Sequence, residues 1–246
     1  MGIPALMAGR RYDAGLVIES WRLWEALAEA LPAPAQRVST WALDSDYFEF
    51  EGPRGVGVAA VIAQGAPMAV DALERLVGAG ARSVVRIGTT GGLQRDQSIG
   101  DVVLPFCAVR NEGTSGHYLR ADAPACANLP LVERIRAALL SRYGLDVHPS
   151  MSWTTDGRWV ESDQDVLELS RLGVSAVDME TAALFAAGLY RAVDVASVSV
   201  IADLPILHVG EAFKGLPPGE ADWNRVCRQS QAVLRAVLDA MVGKPE

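Results

Sequence analysis

The chain has 246 residues, 50% of them hydrophobic and 21% charged, a length and balance that support a sizeable folded core and exclude a disordered polyelectrolyte. Its net charge of -8, with acidic and basic residues mixed along the chain, leaves no basic tract for the counterion release that DNA or RNA binding requires. An anionic substrate must therefore be held by local arginines and backbone dipoles, against the sign of the whole molecule.

In chain order, Met1 to Leu16 carries Arg10, Arg11 and Asp13 and no apolar stretch of signal-peptide length. No later run approaches a membrane span, so the cytoplasm is the expected location and no membrane partner is expected. Trp21, Trp24, Leu27, Ala28 and Leu31 recur at helical spacing, and Pro32 and Pro34 end that helix. Tyr47 to Phe50 alternates weakly, Gly52 to Gly55 is a turn, and Val56 to Ala63 is a nearly continuous apolar run that predicts a buried strand. A helix from Pro67 to about Val77, with Pro in its first turn, leads into a strand over Ser83 to Ile87.

The alternation continues with a strand over Asp101 to Val109, a helix over Leu131 to Tyr143 and an extended segment over Val147 to Trp153. Then come a helix over Asp163 to Leu172, a short strand over Ala176 to Asp178, a helix over Thr181 to Leu189, a β-branched strand over Val193 to Ala202, and a long terminal helix over Asp222 to Val242. Such alternation predicts one α/β domain over residues 1–246, with a mixed, mostly parallel central sheet flanked by helices. Functional residues then belong just after the strands.

Three polar constellations lie at such strand ends. Arg86-Ile87-Gly88-Thr89-Thr90-Gly91-Gly92 offers one Arg, two small hydroxyls and three glycines to an oxyanion. Taken alone, it serves equally as a Gly-rich turn whose Arg pairs with an acidic neighbour. A dinucleotide fingerprint is excluded, because Gly88-x-x-Gly91-Gly92 runs into Leu93 to Gly100 and another strand, not directly into a helix. A P-loop is excluded for want of G-x-x-x-x-G-K-[ST]. In Val177-Asp178-Met179-Glu180-Thr181, Glu180 can accept from two vicinal hydroxyls of a ribose and Met179 can supply an apolar contact. The alternative is structural: Asp178 caps the following helix and Glu180 favours its positive end. Asp203 follows the apolar strand, where a carboxyl can acquire a pKa suited to protonating a leaving group or can simply satisfy loop N–H groups.

Cys107, Cys126 and Cys227 are odd in number, widely spaced and without a C-x-x-C grouping, so they read as buried thiols in a reducing compartment. His117, His148 and His208 have neither helical two-His spacing nor a Cys partner, which argues against a metal site. No G-x-S-x-G elbow marks a serine nucleophile.

Together and in this order, the three constellations resemble the nucleoside phosphorylase family, which includes uridine phosphorylase, hexameric bacterial purine nucleoside phosphorylase and methylthioadenosine phosphorylases. The likeness runs from about Val56 to Ala240. Arg86 to Leu93 is similar to the family's R-x-G-[ST]-x-G-[GA] segment, extended by Val109-Arg110-x-x-Gly113-x-Ser115-x-His117. Val177 to Glu180 is similar to its V-x-M-E ribose motif, and Val198 to Asp203 to a strand ending in Ser-Asp in purine-specific members. The resemblance implies a nucleoside phosphorylase-like fold, phosphate as co-substrate with no further cofactor, nucleoside as the other partner, and a homo-oligomer of dimers grouped into a hexamer. By position it implies that Arg86, Gly88 and Thr89 hold phosphate, Thr90 and Gly91 lie beside the nucleoside, Met179 and Glu180 hold the ribose, and Asp203 protonates a purine at N7.

Departures from the family are equally specific. Gly65 to Leu76 has Met68, Asp71 and Arg75 where the family's helix start differs, and the G-D-P-x-R segment with a second phosphate Arg is not recognisable in Met7 to Asp13, where only Arg10 or Arg11 could substitute. No His near the N-terminus reaches toward a ribose 5′-hydroxyl. Asp156 to Ser162 lacks the pattern, a Gln and an Arg just after an aromatic pair, with which uridine phosphorylases read uracil, whereas Trp153, Arg158 or Trp159 could border a base. A purine nucleoside is thus the expected substrate. Uridine phosphorolysis, hydrolysis by water on the same fold, and nucleoside binding without turnover are the alternatives.

Overall fold

The computed structural model describes residues 11–32, 34–40, 45–212 and 217–242. Its strands are β1 (Ala14–Ile18), β2 (Gln36–Thr40), β3 (Ser45–Glu51), β4 (Gly57–Ile62), β5 (Ser83–Gly92), β6 (Val102–Asn111), β7 (Ala125–Cys126), β8 (Pro149–Thr155), β9 (Val174–Asp178) and β10 (Asp194–Asp203). The helices are α1 (Trp21–Ala28), α2 (Ala66–Gly78), α3 (Leu129–Tyr143), α4 (Asp163–Arg171), α5 (Thr181–Arg191) and α6 (Glu220–Val242).

All strands belong to one mixed sheet in the order β10-β6-β8-β9-β5-β1-β4-β3-β2, with β7 beside β6. Because β10 also pairs with β5, the strands β5, β9, β8, β6 and β10 close on themselves, and β1, β4, β3 and β2 extend from β5. Parallel ladders join β10, β5, β1 and β4, so their carboxyl ends open in one direction. Helix α2 packs on α5, while α1 and α3 pack on α6.

β5 is enclosed because it pairs with both β1 and β10, and from Ser83 to Ile87 every residue is buried. α5 is buried from Thr181 to Gly188. Its alanines at 182, 183, 186 and 187 let the helix axis lie close to the strands, whose Val and Ile side chains fill the space between. At the other edge Trp24 stacks on Phe48 at 4.2 Å between ring centroids, which closes α1 over the β3–β4 hairpin.

Several expectations are corrected. β1, β2 and β7 were not anticipated: β1 is five residues long, too short for alternation to show, and β7 is two. Arg86 to Gly92 is not a turn but the second half of β5, which continues past Ile87 because β10 pairs with it as far as Gly91 and β9 takes over at Gly91 and Gly92. The helix from Trp21 ends at Ala28, three residues before Leu31. All three cysteines are free but half-buried instead of buried.

Candidate active site

The site is built where β1, β5, β9 and β10 end. β1 leaves the sheet at Glu19 and Ser20, and the Ser20 hydroxyl accepts from the Leu23 N–H at 3.2 Å, starting α1 at once. This tight exit faces Glu19 toward β5. Its Oε2 accepts from Arg86 Nη2 at 3.0 Å and its Oε1 accepts a short hydrogen bond from Thr89 Oγ1.

Arg86 is 1% exposed, and every edge of its guanidinium is engaged. Nε and Nη2 donate to Glu180 Oε2 at 3.1 and 2.6 Å, Nη1 donates to Ser199 Oγ at 2.6 Å, and Nη2 also reaches the Thr89 carbonyl at 3.3 Å. Asp178 lies 3.8 Å from Nη1. Burial alone would disfavour the charge, but Glu180, Asp178 and Glu19 hold the guanidinium more firmly protonated than usual. The acidic-neighbour reading of Arg86 is therefore realised, in the same segment that was matched to an anion site. Gly88 makes this possible, since a Cβ there would stand 2.5 Å from the guanidinium.

β9 runs antiparallel to β5, so its end returns the chain to the level of Arg86. Asp178 accepts from the backbone N–H groups of Glu180 and Thr181, each at 3.2 Å, and from Thr154 Oγ1 at 2.8 Å. It caps α5. Glu180 does something else: its Oε1 accepts from the Gly65 N–H at 2.7 Å while Oε2 takes Arg86. Gly65 can present that N–H because its φ of +83° is open to glycine.

Glu19, Arg86, Thr89, Asp178 and Glu180 line a cavity of about 310 Å³, together with Arg22, Arg158, Asp203, Pro205 and Trp223, a volume at the lower end of small-ligand sites. Burial raises two of its carboxyls. Asp203 is pushed up to about 6, with Arg158 and His208 opposing the rise. Glu19 is pushed up to about 7, because lost hydration outweighs Arg86 and Glu180 adds repulsion. Each keeps its proton to a higher pH than an ordinary carboxyl does.

Of the residues singled out in the sequence, Arg86, Thr89, Thr90, Gly91, Arg158, Met179, Glu180 and Asp203 all line the cavity. Gly88 does not, its place being to make room for Arg86. Trp159 is 66% exposed and also lies outside the lining, and Trp153 is buried in a satellite core with Val166 and Val177. Thr90 Oγ1 donates to the Val177 carbonyl at 2.6 Å. Arg10 lies outside the described residues, and Arg11 is exposed. Glu19, Arg22 and Trp223 were missed. Glu19 and Arg22 had a faint signal, the apolar run Ala14 to Ile18 followed by a Ser cap; Trp223 comes from the far end of the chain on α6 and had none. Among the described residues no group of three His, Cys, Asp or Glu could hold a metal ion, and no helix is long and apolar enough to cross a membrane.

Comparison with known proteins shows the family to which the chain belongs. Residues 52–242 match the family described as the Phosphorylase superfamily. A guanosine phosphorylase of Halorubrum lacusprofundi is 35% identical over 123 residues, 50% of this chain and 50% of its own. A uridine phosphorylase of Thermococcus kodakarensis is 37% identical over 92 residues, 37% of this chain and 33% of its own. The matched segment thus spans half or less of each of these relatives. Among solved structures, uridine phosphorylase from Vibrio fischeri ES114 superposes with a TM-score of 0.79 over 94% of this chain and 91% of its own at 22% identity, a likeness of fold.

Proposed function

Because this chain belongs to the phosphorylase superfamily, we propose that it cleaves the N-glycosidic bond of a nucleoside with inorganic phosphate, giving the free base and a pentose 1-phosphate, with purine nucleosides favoured. The convergence of Arg86, Glu180 and a proton-retaining Asp203 on one cavity carries this reading. As the C1′–N bond lengthens, its electron pair leaves with the base and positive charge develops on the sugar. A phosphate oxygen then forms the new bond at C1′. Glu180, immobilised by Gly65 and Arg86, accepts from the ribose hydroxyls, and Met179 packs on the sugar. Asp203 donates its proton to purine N7, so that the base departs neutral. Thr90, Gly91 and Arg158 border the nucleoside, while Arg86 and Thr89 hold the phosphate. Positioning and electrostatics supply the rate, and no covalent enzyme intermediate is needed.

A panel of purine and pyrimidine nucleosides, assayed with and without phosphate, tests the reading. Pentose 1-phosphate should form only with phosphate, and Arg86→Ala should lower kcat/KM by roughly 10²-fold or more. A uridine-specific result would retain the reaction and reject the base assignment. One observation favours a second reading, hydrolysis: the Glu19 carboxyl, with a pKa near 7, faces the acceptor side of the site and could take a proton from water. Equal turnover without phosphate would select it.

A further inference from the structure

Glu19 has no part in the roles assigned for phosphorolysis, yet it makes the contacts an entering phosphate needs. Its two oxygens receive Arg86 Nη2 and Thr89 Oγ1, the two side-chain donors assigned to phosphate. Nε and Nη2 also donate to Glu180, Nη1 donates to Ser199, and Asp178 lies 3.8 Å from Nη1. A phosphate placed on this segment would therefore have to displace the Glu19 carboxylate from Arg86 Nη2 and Thr89, or stand beside it as a second anion. Two negative groups in one desolvated site repel strongly, so both cannot occupy it while charged.

We propose that Glu19 is a built-in anion occupying the phosphate position, and that phosphate binds only when Glu19 gives up its charge and its contacts with Arg86 and Thr89. This rests on the phosphate-dependent reading above. Above neutrality, one proton is taken from solvent by Glu19 for each phosphate bound. Below it, Glu19 is already neutral and the site opens without that uptake.

The groups around Glu19 determine how sharply this occurs. From β5, Arg86 favours its ionised form and the Thr89 hydroxyl donates to it; from the β9–α5 junction, Glu180 opposes ionisation, while Asp178 lies 3.8 Å from Arg86 Nη1. Arg22 of α1 lines the same cavity, as do Arg158, Glu161 and Asp203. If all are ionised, the lining carries three arginines against Glu19, Glu161, Asp178, Glu180 and Asp203. Removal of one carboxylate charge is what makes room for a dianion.

Sulfate is a suitable probe because it stays a dianion across the neutral range, so its binding has no titration of its own. Isothermal titration of the full chain should show the wild-type sulfate Kd rising about tenfold between pH 6 and pH 8, the linkage expected of one proton with a pKa near 7. Asp203 titrates in the Glu19→Gln variant too, so the ratio of wild-type to variant Kd isolates Glu19, and that ratio should grow by about the same factor. Glu19→Gly, which empties the position, should bind sulfate more tightly than wild type at pH 8. Parallel pH profiles for wild type and Glu19→Gln, or no gain in the Gly variant, would overturn the proposal. So would phosphate-independent nucleoside cleavage that Glu19→Gln abolishes, because Glu19 would then be handling water in place. Should no nucleoside be cleaved while sulfate behaves as expected, the function falls and the displacement of Glu19 stands.

Discussion

Asp203 and Glu19 are carboxyls of one cavity whose burial raises both, to about 6 and about 7. Their neighbours differ: Asp203 faces Arg158 and His208 at a distance, whereas Glu19 is bonded directly to Arg86 and Thr89. A loosely held proton suits donation to a leaving base, and a carboxylate locked against an Arg suits occupancy of an anion position. For the proposed reaction, Asp203→Asn should lower kcat/KM for purine nucleosides by ~10²- to 10⁴-fold, the range for removal of a general acid. In the wild-type protein kcat/KM should decline as pH rises through about 6, since the donating form is lost there. Steady-state kinetics on a purine nucleoside and on uridine checks this. Equal losses on both would remove the N7 role, because uracil has no N7 to protonate.

At the scale of elements, β5 does most to assemble the site. It is enclosed by β1 and β10, it carries Arg86, Thr89, Thr90 and Gly91, and it hands the sheet over to β9 at Gly91 and Gly92. Gly88 sits where the Arg86 side chain folds back along its own strand. A Cβ there would stand 2.5 Å from a guanidinium pinned by Glu19, Glu180 and Ser199, so relief of the clash must break buried charge-assisted hydrogen bonds. Gly88→Ala should therefore destabilise the fold by roughly 1–3 kcal/mol, as overpacking does, and weaken sulfate binding with it. Urea denaturation measures the first; an unchanged midpoint would mean that Arg86 moves freely. The order of strands and helices was legible because each long element has its own periodicity. β1 was not, although Ala14 to Ile18 is wholly apolar, since five residues beside the polar Arg10 to Asp13 stretch carry too little pattern. With β1 went Glu19.

For the whole molecule, a net charge of -8 and a cavity rich in carboxylates act in the same direction. Glu19 has a folded-state pKa raised from 4.5 to about 7, so between those values the folded chain binds more protons than the unfolded one. Its contribution to stability is full below about pH 4.5 and is lost as pH rises through about 7. Glu19→Gln, which mimics the protonated form, should accordingly be more stable than wild type at pH 8, by on the order of 1–3 kcal/mol, with the difference vanishing near pH 4.5. Denaturant titrations at several pH values check this, and a constant offset would contradict it. The sequence by itself determined the α/β alternation and three ordered motifs, because strand hydropathy, helix spacing and the identities of Arg86, Glu180 and Asp203 are local properties. What surrounds Arg86 was decided only by the tertiary structure. Its partners Glu19, Glu180 and Ser199 lie 67, 94 and 113 residues away, and no local pattern encodes that an expected phosphate position is already filled by a carboxylate of the chain itself.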